Sequence, residues 1–174
     1  MTSELRVDKI IPTTGAPTGG GGGIVQIKST HITASFQTQS ETYIDITGHS
    51  VTITPKFNTS KILIDYRVSW MHTSSNGASA TLRLLRNGTN IGVPLATDDR
   101  MGILLLSADS NGNMSNSSIN YLDSPATTSA ITYKIQIHLD SAGGSGGHIF
   151  GINHWPPNDN YRGTSSITAY EVSA

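Results

Sequence analysis

The stretch best equipped for chemistry is His154-Trp155-Pro156-Pro157-Asn158-Asp159-Asn160-Tyr161-Arg162. Trp155 and Tyr161 offer flat apolar faces on which a sugar ring can stack. Asn158, Asp159 and Arg162 offer hydrogen bonds to sugar hydroxyls. The paired prolines reduce the conformational freedom that a ligand would otherwise have to freeze. This pattern predicts contact with a surface glycan. The same residues also suit a loop packed on its own sheet or on a neighbouring subunit, with Trp155 as the plug.

Other combinations are weaker. The chain has six histidines, but none pairs with another at a ligand spacing such as i, i+4. A zinc site needs three or four ligands in defined geometry. Asp98, Asp99 and Asp109 have the oxygens that Ca²⁺ takes, yet Asp in such loops is ordinary turn chemistry. A glycosidase needs two carboxylates about 5–9.5 Å apart. Asp98, Asp99, Asp159 and Glu171 are candidates, and nothing in the sequence pairs them. There is no G-x-S-x-G elbow. Gly143–Gly147 lacks the Gly-Lys-Ser/Thr that follows a phosphate loop. The expectation is therefore no catalytic residue, no metal and no cofactor.

Composition points the same way. Charged residues make up 13% of the chain, against about 25% in ordinary domains. Ser and Thr number 43 among the 174 residues, so hydroxyls must do much of the work of solvation. The net charge of −1 leaves no basic surface to neutralise phosphates, which excludes nucleic acid as the expected partner. There is no cysteine, hence no disulfide or thiolate metal site. No apolar run approaches the ~18 residues of a membrane-inserted helix. Met1-Thr2-Ser3-Glu4 lacks the basic region and apolar core of a signal peptide, which predicts assembly in the cytoplasm.

These residues need a frame. The run Gly19–Gly23 cannot hold a helix or a strand by itself. It separates an N-terminal arm (1–18) from a β-rich head (24–174), with 19–23 as a hinge. In the arm, Leu5, Val7, Ile10 and Ile11 form a short apolar patch ended by Pro12. A peptide of this kind adds to a sheet edge or lies in a groove on another protein. The alternative is a disordered leader.

In the head, Lys61–Met71 alternates, with Ile62, Ile64, Tyr66, Val68 and Trp70 on one face. Ala130–Asp140 does the same, with Ile131, Tyr133, Ile135, Ile137 and Leu139 inward and His138 outward. Further strands are expected at Ile24–Ser35, Tyr43–Ile46, Val51–Thr54, Ala78–Arg86, Asn90–Leu95, Ser117–Leu122, Ile149–Asn153 and Ser165–Val172. Asn87-Gly88 is a type I′ hairpin signal. Ile103-Leu104-Leu105-Leu106 breaks the alternation and puts apolar bulk on both faces of a strand. One face can meet the core, and the other needs a partner, which suggests a subunit interface. Eight to ten strands without a helix predict an all-β jelly-roll sandwich.

Several phrases, taken in order, resemble the small fibre-tip proteins of tailed bacteriophages, especially marine and cyanobacterial ones. They are Leu5-Arg6-Val7-Asp8-Lys9-Ile10, Thr59-Ser60-Lys61-Ile62-Leu63-Ile64, Leu84-Leu85-Arg86-Asn87-Gly88-Thr89, Tyr121-Leu122-Asp123-Ser124-Pro125-Ala126-Thr127-Thr128 and Ser166-Ile167-Thr168-Ala169-Tyr170-Glu171-Val172. The loop Gly151–Arg162 does not match that pattern. The resemblance implies a virion structural protein, assembled in the host cytoplasm, with the arm fixed to another virion protein. It implies a head like the trimeric jelly roll of tumour necrosis factor and complement C1q. A homotrimer would also bury Ile103–Leu106. A tail-fibre tip meeting a host surface glycan is the expected role. A capsid decoration protein or head fibre, and a free carbohydrate-binding module, are the alternatives.

Overall fold

The computed structural model describes residues 23–73, 78–93, 102–108, 114–140, 149–154 and 161–173. The arm residues Leu5, Val7, Ile10 and Ile11 lie outside them, as do most of the glycine run, Asn76-Gly77, Asn111-Gly112 and Gly143–Gly147.

The described residues form eleven strands: β1 (Ile24–Ile32), β2 (Phe36–Thr38), β3 (Ile44–Ile53), β4 (Lys61–His72), β5 (Ala78–Arg86), β6 (Thr89–Ile91), β7 (Leu104–Ala108), β8 (Ser115–Asp123), β9 (Ile131–Asp140), β10 (Phe150–Ile152) and β11 (Ser165–Val172). They make two antiparallel sheets. In the first, β4 pairs β11 and β10 along one edge and β8 along the other, with β1 outside β11 and β2 outside β10. In the second, the order is β3-β9-β5, and β6 and β7 share the far edge of β5.

Three pairs of strands each occupy one position: β1 with β2, β6 with β7, and β10 with β11. Counting positions along the chain, the first sheet runs 1-8-3-6 and the second 2-7-4-5. Successive positions thus alternate between sheets except at the β5–β6 hairpin. There Asn87 and Gly88 both take positive φ (48° and 88°), as the Asn-Gly signal predicts.

The inner faces meet in one core. Ile62, Ile64, Tyr66, Val68 and Trp70 of β4 are buried against Ile131, Tyr133, Ile135, Ile137 and Leu139 of β9 and Leu82 and Leu84 of β5. Trp70 stacks on Phe150 at 5.5 Å between centroids and donates its indole N–H to Ser117 Oγ at 2.9 Å. A buried indole that keeps a partner avoids the cost of an orphaned donor.

Polar links also cross between the sheets. Asp123 on β8 accepts both oxygens' worth of contact from Arg86 Nη1 on β5, at 2.8 and 3.0 Å. It also accepts the Tyr133 hydroxyl from β9 at 2.7 Å. Tyr66 and His49 meet across the sandwich at 2.7 Å through the phenol and Nδ1.

The structure changes several details of the expected strands. Tyr43–Ile46 and Val51–Thr54 are one strand, β3, whose register with β9 slips between Asp45 and Ser50 while Gly48 takes φ +80°. The slip supplies the break seen in the sequence without ending the strand. Three-residue β2 went unanticipated, being too short to show a period. His138 does face outward, yet it is buried, with the Tyr43 ring 5.1 Å away. Met71 is buried on the face opposite Trp70.

Candidate functional site

The two outer faces differ. That of the second sheet satisfies itself. Asp45 accepts from Lys134 Nζ at 2.7 Å and Gln136 Nε2 at 2.6 Å, Gln136 in turn accepts from Arg83 at 2.8 Å, and Arg83 lies over the Tyr43 ring at 3.8 Å. The Lys134 and Gln136 hydrogen bonds hold the Asp45 carboxyl below the usual carboxylate range. Such a face suits water.

The outer face of the first sheet is divided along its strands. At the end where β1 begins, one register row runs Ile27, Tyr170, Leu63, Leu122 across β1, β11, β4 and β8. Ile27 and Leu122 are 53% and 51% exposed. Ile24 adds to this apolar end. A bulge at Val25 makes the arrangement possible, because it turns Gln26 to Glu171 and Thr54, leaving Ile27 outside.

The next rows are polar: Ser29, Thr168, Asp65, Asn120, and then His31, Ser166, Arg67, Ser118. Small hydroxyl residues make a low floor between longer side chains. The result is a groove of about 550 Å³ whose walls include Asp65, Arg67, Asn116 and Asn120. Arg67 is 73% exposed and reaches Asp65 Oδ2 at 3.5 Å. Asp65 Oδ1 is buried and has no hydrogen-bond partner among the described residues.

The segment 161–164 passes one end of this groove. Ser69 Oγ bonds Asn116 Oδ1 at 2.6 Å and the Thr164 carbonyl at 3.0 Å. Gly163 sits so close that a Cβ would meet Ser69 Cβ at 2.5 Å and Met114 Cε at 2.8 Å. Its N–H bonds the Asn153 carbonyl at 3.1 Å. The Asn153 side chain holds Ile32 and Ala34 carbonyls at 3.1 Å each and accepts from Ser165 Oγ at 2.7 Å. Asn153 is thus the post to which the loop base is tied. His154 and Arg162 close that base as an antiparallel bridge.

Of the residues expected to meet a glycan, Tyr161 is 54% exposed and Arg162 is exposed beside the groove end. Trp155, Asn158 and Asp159 lie outside the described residues. So do Asp98, Asp99 and Asp109. Of the four residues expected at a subunit interface, Leu106 is in the chain's own core and Ile103 and Leu104 pack against it. Only Leu105, 62% exposed, offers a large apolar surface. The apolar row on the first sheet was missed because its members come from four distant strands and no single stretch displays them.

Of the four candidate carboxylates, Glu171 is the one among the described residues, and it is engaged inside the sandwich. It is buried, and burial alone would raise its carboxyl. Donors from Gln26 Nε2 (2.6 Å) and the Lys56 and Phe57 amides (2.7 and 3.3 Å) outweigh that and hold it below the usual range. Burial pushes the Tyr66 and Tyr133 phenols up and His49 down to about 4. All three lie in the core. No group of His, Asp and Glu suited to a metal occurs among the described residues.

The fold and groove together define a two-sheet antiparallel β-sandwich with a polar cleft on one outer face. No family model matches the chain, and no curated protein matches it. Among solved structures it is similar to the VP2 protein of infectious bursal disease virus. The D431N mutant in T=1 particles is 16% identical with a TM-score of 0.39, over 96% of this chain. The VP2 subviral particle is 17% identical with a TM-score of 0.39, over 94% of this chain. This chain spans 42% of the length of each.

Proposed function

We propose that the chain is a bacteriophage virion structural protein, a trimeric tail-fibre tip whose N-terminal arm docks to the particle and whose head meets the host surface. The observation that carries this reading is the polarity of the first sheet. The chain enters at Gly23, beside the apolar row. The groove begins two residues along the strands from that row, at Asp65 and Asn120, and runs away from it to Ser69 and Asn116. The loop base, tied by Asn153 to Ile32, lies at the far end of β1, eight residue steps from Ile24, or about 26 Å of strand. An appendage needs this arrangement: attachment at one end and recognition at the other. The strand order 1-8-3-6 and 2-7-4-5 supports the jelly-roll reading, since two Greek keys wound together give it. The row Ile27, Tyr170, Leu63, Leu122 supports self-association, because a contiguous apolar row with exposed ends at Ile27 and Leu122 favours a partner over water.

Quantitative mass spectrometry of purified particles tests the proposal. A tail tip gives a small multiple of three copies per particle. Tens to hundreds of copies would place it on the capsid as a decoration protein. Absence from the particle would overturn the reading.

A further inference from the structure

The geometry points to the groove on the first sheet as a binding site for a neutral saccharide, with Asp65, Arg67, Asn116 and Asn120 as its hydrogen-bonding residues. This rests on the reading of the head as the surface-contacting part, and it places the contact on the sheet itself as well as on the loop 154–162.

Four observations converge. First, the groove has the volume of a small-ligand site, about 550 Å³. Second, its chemistry alternates. Asp65 can only accept, Arg67 can only donate, and the Asn amides and the Ser118 and Ser166 hydroxyls do both. Ring hydroxyls, each a donor and an acceptor, need such a mixture. Asn116 has its carbonyl oxygen engaged by Ser69 Oγ, which directs its amide N–H groups the other way. Third, Asp65 Oδ1 is a buried carboxylate oxygen without a hydrogen-bond partner among the described residues, and a ligand hydroxyl supplies one once a neighbouring side chain moves aside. Arg67 holds the other oxygen only by a 3.5 Å contact and is largely exposed, so it can shift to admit a ligand. Fourth, one carboxylate faces one guanidinium, so the site carries no net charge to attract an acidic sugar or repel a neutral one.

No Trp, Tyr or Phe lines the groove among the described residues. A single site is therefore weak, and three sites on one head would gain by avidity. Tyr161, 54% exposed, lies two residues before Gly163 in the chain.

The test uses the full chain on printed arrays of neutral hexose and N-acetylhexosamine oligosaccharides, with sialylated and uronic-acid oligosaccharides alongside. The expected result is binding to a subset of the neutral glycans. Asp65→Asn should weaken it at least tenfold. Ser118→Trp, which fills the floor from an exposed position without touching the core, should abolish it while the circular dichroism spectrum stays unchanged. Binding confined to acidic glycans would overturn the proposal, as would neutral binding indifferent to both substitutions. Should no glycan bind although the protein is found on particles, the saccharide site fails and the virion assignment stands. Should neutral glycans bind although the protein is absent from particles, the reverse holds.

Discussion

Gly23 and Ser173 are tied by three hydrogen bonds. The Gly23 N–H donates to Ser173 Oγ at 3.0 Å, and the Gly23 carbonyl accepts from Ser173 N–H at 2.9 Å and Oγ–H at 3.3 Å. The start and the end of the sandwich are therefore clamped together beside the apolar row. A chain beginning at Gly23 should melt within a few degrees of the full chain. Ser173→Ala should cost about 0.5–1.5 kcal/mol, since its side-chain bonds are exposed. Thermal denaturation followed by circular dichroism checks both.

Asp123 joins the two sheets by accepting from Arg86 and Tyr133. Asp123→Ala removes the ion pair of the half-buried Arg86 guanidinium and leaves the Tyr133 hydroxyl without its acceptor, and should cost about 2–4 kcal/mol. Tyr133→Phe removes one bond and leaves the ion pair, so about 1–3 kcal/mol is expected. Urea denaturation of the two variants and the double variant checks the ranking.

His49 gives the fold a pH dependence. Burial lowers its pKa from 6.5 to about 4 in the folded state. Between those values the unfolded chain binds the proton and the folded chain does not, so stability falls as pH drops from 6.5 towards 4. The loss is about 3 kcal/mol over that window, by linkage. Glu171, whose folded pKa is lowered, adds a further loss only as pH falls below its ordinary 4.5. His49→Gln should flatten the denaturation midpoint between pH 7 and pH 5, while the decline below pH 4.5 persists.

Gly163 is held against Ser69 and Met114 with no room for a side chain. Gly163→Ala should push the 161–164 segment off the groove end, break the Ser69 bond to Thr164, and cost about 1–3 kcal/mol by overpacking. Gly88→Ala is strained by its positive φ alone, with open space around it, and should disturb the hairpin without touching the groove. Amide-proton NMR spectra of the two variants should change around different residues: Ser69, Asn116 and Thr164 for the first, Arg86 and Thr89 for the second.

The long strands were readable because period-2 alternation survives over ten residues; β4 and β9 bury the faces the sequence assigns them. The Asn87-Gly88 turn was readable because φ > 0 restricts residue choice. The groove was not. Its residues sit on β1, β4, β8 and β11, brought together only by register, and each alone reads as an ordinary outward strand position. The same holds for Ile27 and Leu122, the two ends of one register row though 95 positions apart in the chain. In Ile103–Leu106 the adjacent apolar residues do show that both strand faces are apolar: Leu106 enters the core with Ile103 and Leu104 packed against it, and Leu105 is left 62% exposed on the other side.

The most direct measurement is deletion of residues 1–22 in a phage that carries the protein. Attachment at one end and recognition at the other predict particles without the head, and a free trimeric head, lighter than three full chains of 18.4 kDa, that still binds host cells and blocks adsorption by intact phage. Particles that still incorporate the shortened head at its usual copy number would contradict the account.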